Sequence, residues 1–210
     1  MPRVLLAVAL LAASAASARE DPTFRTGTGR ISIMGGWHYT PNDYFLQRAA
    51  EKLVPVKPNR GGPHALGTFA YAASDSIEVA IDLFASSDNH DVPERADLVM
   101  VHYGALLGAR VFWALGSLTP NVGFGIGPSL VYVGGLNAPS AERVITSYAA
   151  CAGLTWQVSD TLAATVDLRW LLARGYVPAV GSGINAGGGF ASIGLTWIFP
   201  PDPDRAGAVR

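Results

Sequence analysis

The chain has 210 residues, half of them hydrophobic, with 15 Lys and Arg against 16 Asp and Glu and a formal net charge of −1. A neutral, sparsely charged chain excludes nucleic-acid binding, which needs a clustered excess of cations, and the length predicts one domain. Cys151, the single cysteine, excludes an intramolecular disulfide and reads as a small buried apolar residue.

Met1 to Ala18 carries one early cation, Arg3, then an apolar run from Val4 to Ala13, then the small-x-small site Ala16-Ser17-Ala18. This is the layout of a secretory leader cut after Ala18, and it is too short for a membrane span. The first predicted strand, Ile31 to Tyr39, puts Ile31, Ile33, Gly35, Trp37 and Tyr39 on one face. Ser32, Met34, Gly36 and His38 take the other. Leu66 to Ala73 is a weaker strand whose facing is not set by its residues. Ile77 to Phe84 alternates Ile77, Val79, Ile81 and Leu83 with Glu78, Ala80, Asp82 and Phe84, so that lipid suits one face and water the other. The fourth strand, Leu98 to Trp113, turns Val99, Val101, Tyr103, Leu107 and Val111 outward, with Met100, His102 and Arg110 inward.

Val111 to Ala141 is free of charge and long enough to cross a bilayer as a helix. Gly116, Pro120, Gly123, Gly125, Gly127 and Pro128 lie within it, and so many breakers make a helix costly. Val122, Phe124 and Ile126 alternating with glycines instead form a strand, the fifth, from Leu118 to Val133. Only helices and closed barrels satisfy the backbone in lipid, so losing the helix leaves a barrel. The sixth strand covers Val144 to Gln157, with Tyr148, Leu154 and Trp156 outward, the seventh Thr161 to Leu172, and the eighth Gly187 to Phe199.

Tight turns at Ser74-Asp75-Ser76, Ala114 to Ser117 and Val158-Ser159-Asp160 alternate with long segments at Thr40 to Pro63, Ala85 to Ala96, Gly134 to Arg143 and Val177 to Ala186. Short periplasmic turns and long outer loops are the outer-membrane arrangement. The expected fold is therefore all-β: an eight-stranded antiparallel up-and-down transmembrane β-barrel over 19–199, with both ends in the periplasm. Residues 200–210 form a periplasmic tail. A soluble lipocalin-like barrel would bury its apolar face, against the outward aromatics at Trp37, Tyr39, Trp156, Trp170, Trp197 and Phe199.

The spacing of Ser192, Gly194, Trp197 and Phe199 resembles the C-terminal signal by which outer-membrane barrels are handed to their assembly machinery, although here residues 200–210 follow the last aromatic. A wider resemblance rests on several stretches in order. Ile77 to Ser86 followed by Asn89-His90-Asp91-Val92 is similar to the third strand and loop of the OmpW family of small outer-membrane proteins. Gly35 to Asp43, Thr119 to Gly127 and Val166-Asp167-Leu168-Arg169-Trp170 also resemble stretches of that family. The Pro-Phe pair frequent before His-Asp there is replaced by Ser87-Asp88. The resemblance implies a narrow, non-catalytic barrel admitting small hydrophobic compounds, with no cofactor.

Read from the residues, an eight-stranded barrel is just wide enough for side chains to fill. Glu78, Asp82, Arg110, Asp167 and Arg169 point inward from the middle toward the periplasmic end, where opposite charges are expected to pair. Met34, His38, Phe84, Met100 and His102 stand toward the outer end, as a candidate mouth for a hydrophobic solute or as simple lumen filling. Catalysis would need a nucleophile beside a base, and no His-x-Ser pair follows His38, His64, His90 or His102. His64, His90 and Asp91 lack the spacing of a local metal site. The alternative function is a surface interaction protein on a barrel pedestal. In that reading Tyr44, Phe45, Leu46, Lys52, Lys57 and Arg60 of the first loop, part of which also reads as a helix from Asp43 to Leu53, would meet lipopolysaccharide phosphates or a partner.

Overall fold

A computed structural model describes residues 25–42, 47, 51, 61–90, 98–134, 140–177 and 182–201. Nine strands form among them: β1 (Gly29–Tyr39), β2 (Gly62–Ala72), β3 (Ile77–His90), β4 (Leu98–Phe112), β5 (Leu118–Gly134), β6 (Ala141–Gln157), β7 (Leu162–Val177), β8 (Ser182–Asn185) and β9 (Gly188–Phe199). Every pairing is antiparallel: consecutive strands pair from β1 to β8, β7 also pairs with β9, and β1 pairs with both β2 and β9, which closes the sheet. Leu171 faces Gly188, and three residues farther along β7 Arg174 faces Asn185. Thus β8 and β9 are two pieces of one barrel wall strand, and the barrel has eight. The break falls where β1 ends. Gly188 there has φ of 138°, and a Cβ on it would overlap the Tyr39 carbonyl, so only glycine fits.

The two-residue period then sorts the described side chains of the strands. On β1 to β4 the even-numbered residues point inward, from Arg30 to Phe112; on β5 to β7 the odd-numbered ones do, and on β9 the even ones again. β2 is thereby settled, with Phe69 and Tyr71 outward and His64, Leu66 and Thr68 inward. The outer surface carries a band of exposed apolar residues, Ile33, Leu107, Phe124, Leu168 and Ile193 among them, which is what hydrocarbon requires of a barrel wall.

Three short turns join strands at one end. Ser74 Oγ accepts from the Ile77 amide at 3.1 Å, and Ser159 Oγ from the Leu162 amide at 3.1 Å. Gly116, at φ of 62°, makes the turn between β4 and β5. At the opposite end the strands run farther than hydropathy indicates. β3 continues to His90, β6 begins at Ala141 and β7 extends to Val177, so the expected loops from Ala85, to Arg143 and from Val177 are shorter than predicted. Polar Ser86, Ser87, Asp88 and Asn89 stay in the ladder because β4 pairs with each of them, a partner that a local pattern does not reveal. The leader, Tyr44 to Leu46, Lys52, Lys57, Arg60, Asp91 and the tail beyond Pro201 lie outside the described residues. Of the helix expected from Asp43 to Leu53, Gln47 and Glu51 are described, and both are helical.

Candidate functional site in the barrel lumen

The lumen is stacked in layers along the barrel axis. Ala72, Phe112, Ala163 and Ile198 close the end nearest the short turns. Above them stands a charged layer. Glu78 pairs with Arg30 and lies 3.5 Å from Arg110; Arg110 reaches Asp82 Oδ1 at 2.5 Å; Arg169 binds Asp82 Oδ2 at 2.9 Å and Asp167 at 3.2 Å. Three guanidiniums and three carboxylates thus form one neutral, buried chain of ion pairs. Thr68 adds a hydroxyl to Asp82 at 2.6 Å. Beside it, Ser32, Thr196, Thr165 and Thr155 form a ladder of hydroxyl contacts at 2.7, 2.6 and 3.2 Å that ends on Arg30.

All five charged residues expected to pair are brought together. Arg30 joins them without being among the residues expected to pair, because the first strand is expected to begin one residue later. Its signal was present: it is in phase with Ser32, Met34 and His38.

The upper layer is apolar, built from Met34, Leu66, Phe84, Met100, Leu106, Leu171 and Phe190 with valine, isoleucine and alanine neighbours. The five residues of the candidate mouth, Met34, His38, Phe84, Met100 and His102, are all buried here and packed into the filling, so among the described residues they do not line an open mouth. Between the charged and apolar layers, His64, Phe84, Arg169, Phe190 and Ser192 enclose a space of about 10 Å³, at the lower limit for one water. The apolar layer and the ion-pair layer are each buried and stacked across the lumen.

Three histidines sit in the upper half, each with a polar neighbour distant in sequence. His64 Nε2 is 2.7 Å from Ser192 Oγ, and His102 Nε2 is 2.9 Å from Ser129 Oγ, which in turn meets Ser147 at 2.6 Å. His38 Nε2 lies 3.0 Å from Asp88 Oδ1, at ion-pair distance without hydrogen-bond alignment, since that oxygen has no hydrogen-bond partner. Gly62 sits between the two and carries no side chain to separate them. Phe190 stacks on His38 at 5.1 Å and meets His64 edge-on at 5.1 Å. These His–Ser pairs do not assemble a nucleophile, base and orienting carboxylate: the histidine beside a carboxylate has no hydroxyl, and the second nitrogen of His64 has no partner. No metal-holding cluster occurs among the described residues.

On β9, Ser192 and Gly194 face inward while Trp197 and Phe199 are exposed on the outer wall. Gly194 is set by close approach, because a Cβ would overlap the Ile33 carbonyl. Cys151, expected buried, is half-buried on the inward face of β6.

No protein-family model matches the chain, and no curated protein matches it in sequence. Its fold is shared with solved outer-membrane barrels. OprG of Pseudomonas aeruginosa aligns with a TM-score of 0.61 at 13% identity, over 86% of this chain and 100% of that one. Neisserial surface protein A aligns at 0.59 and 11%, over 83% and 98%. Ail of Yersinia pestis, solved in complex with the heparin analogue sucrose octasulfate, aligns at 0.56 and 13%, over 83% and 99%. At such identities the likeness shows the fold: an outer-membrane-type β-barrel with transmembrane strands.

Proposed function

We propose that this chain takes small hydrophobic solutes into the outer half of its lumen and passes them sideways into the bilayer, without catalysis. The observation that carries this reading is a seam in the wall. Pairing between β4 and β5 runs to Gly104↔Ser129 and resumes at Leu107↔Ile126, leaving Ala105 and Leu106 opposite Pro128 and Gly127 outside the ladder. Pro128 has no N–H to donate, and proline inside a sheet removes a ladder bond. Leu106 lies directly behind the seam, fully buried in the apolar layer.

A vertical route is opposed by the charged layer, whose ion pairs would have to separate away from water. A solute in the upper half instead meets apolar side chains and the weakest strip of wall. Met34 and Met100, unbranched and adaptable, are the side chains that yield to it. In this reading Ser192, Gly194, Trp197 and Phe199 also serve as the signal read by the assembly machinery, which delivers the barrel to the outer membrane.

The test is uptake of small apolar and small charged solutes by vesicles holding the refolded protein and its Pro128→Ala variant. Pro128 is exposed on the outer wall, so the variant keeps the fold and restores a donor. Selective uptake of apolar solutes, reduced severalfold by Pro128→Ala with heat-modifiable mobility retained, is the expected result. Gly36→Trp, a direct way to narrow the mouth, is unsuitable because any Cβ there overlaps the Ala191 carbonyl. Uptake no greater than in empty vesicles would sink the channel reading. It would favour the second reading, a non-transporting surface interaction protein, which draws on the close packing of side chains in the outer half of the lumen.

A further inference from the structure

We propose that the outer wall holds a specific site for one lipid A molecule of the outer leaflet, formed by β1, β9, β7 and β6. At one level of the wall, consecutive pairings set Trp37 beside Ala191, Ala191 beside Leu168, and Leu168 beside Ala152. All four face outward. Large and small side chains therefore alternate across adjacent strands, and the small ones leave a hollow of about 730 Å³ whose walls include Trp37, Leu168 and Trp170. Walls two strands apart are about 10 Å between backbones, so once their side chains are in place the trough matches the thickness of a single acyl chain. The hollow lies on the hydrocarbon-facing wall, where an acyl chain is the occupant at hand.

A second feature chooses the lipid. Arg174 follows Trp170 and Leu172 on the outward face of β7, roughly 10 Å higher once strand tilt is allowed for. It is exposed and makes no hydrogen bond or ion pair with the described residues. Among the described residues it is the one strand cation that is both exposed and in the outward register: Arg30, Arg110 and Arg169 are buried in the lumen, and Arg143, exposed near the start of β6, is in the inward register. An unpartnered guanidinium one headgroup's height above an acyl trough, at the end of the long loops, is placed for a phosphate. The outer-leaflet lipid that offers both phosphate and acyl chains is lipid A. This site is separate from the lumen and from the solute route through the β4–β5 seam.

The experiment is native mass spectrometry of the refolded full-length protein in detergent with diphosphoryl lipid A, or with phosphatidylethanolamine, as added probe. Ala191→Leu fills the trough from an exposed position, and Arg174→Gln removes the cation; heat-modifiable mobility checks that both variants fold. One lipid A retained per barrel is expected, reduced at least tenfold by Ala191→Leu and severalfold by Arg174→Gln, with phosphatidylethanolamine retained weakly by all three proteins. Equal retention of the two lipids by the wild type would reduce the site to ordinary boundary lipid and overturn the proposal. So would unchanged lipid A retention in Ala191→Leu, or a lipid-free dimer that Ala191→Leu abolishes, which would assign the trough to a second copy of the chain.

Discussion

Below Arg169 the lumen is held together by charge; above it, by shape. In the lower half three arginines and three carboxylates share one chain of contacts, and each carboxylate has at least one guanidinium within 3.5 Å. In the upper half Met34, Leu66, Phe84, Leu106 and Phe190 pack by volume, and the polar groups among them are only partly satisfied: His38 and His64 each leave a ring nitrogen without a partner. A buried ion-pair network is intolerant of losing a member, whereas an apolar layer yields by rotamer changes. In the proposed solute route the two halves would do different work: the lower half would seal, and the upper half would be the part that rearranges.

The sharpest way to break that division is Asp82→Ala. Asp82 joins Arg110 through one oxygen and Arg169 through the other, so its loss leaves two buried guanidiniums facing each other without their shared anion. Removing one partner of a buried pair costs about 3–5 kcal/mol, and equilibrium unfolding in urea from lipid vesicles is expected to show a loss of that order. A loss below about 1 kcal/mol would mean that the lower half is wetter and less coupled than its geometry indicates.

The upper half makes a subtler prediction. Ser192→Ala removes the hydroxyl on His64 Nε2 and leaves a buried imidazole with neither nitrogen paired, at about 1–3 kcal/mol. Replacing both groups, with His64→Leu and Ser192→Ala together, is expected to recover most of the loss, because a shape-matched apolar pair needs no partner. The same unfolding assay measures the cycle, and strictly additive single costs would contradict a half that is held by shape.

The two halves were also unequally legible in sequence. Glu78, Asp82, Arg110, Asp167 and Arg169 betray themselves because a charge on an otherwise apolar alternating strand has only one face on which to sit. Their mutual pairing then follows from burial cost alone. Arg30 escaped because strand ends are set by the partner's ladder, and Phe199 and Tyr71 extend β1 to Gly29. In the upper half, height along each strand was readable but filling was not: whether Met34 and Phe84 line a mouth or close it depends on how far seven other strands lean inward. The histidine contacts were hidden for a related reason. His64 and Ser192 are 128 residues apart and meet only when the barrel closes. Strand β2, rich in Ala and Gly, had no facing of its own and took it from β1 and β3.

The smallest expected effect lies at the rim outside both halves, where a carboxylate is stabilised in water instead of by burial. Thr26 donates its amide to Asp75 Oδ1 at 2.8 Å and its hydroxyl to the same oxygen at 2.7 Å, fastening the segment before β1 to the β2–β3 turn. The amide contact, followed by the hydroxyl, holds the Asp75 carboxyl below its usual value of 3.8. Because the folded-state pKa is depressed, the stabilisation is fully present above the unfolded pKa and is lost as pH falls through the folded one. An NMR titration of the Asp75 carboxyl is expected to give a midpoint below that of an ordinary aspartate. Thr26→Val, which removes the hydroxyl and keeps the amide, should raise that midpoint only part of the way. An unshifted midpoint in the wild type would show that this clamp does not persist in water.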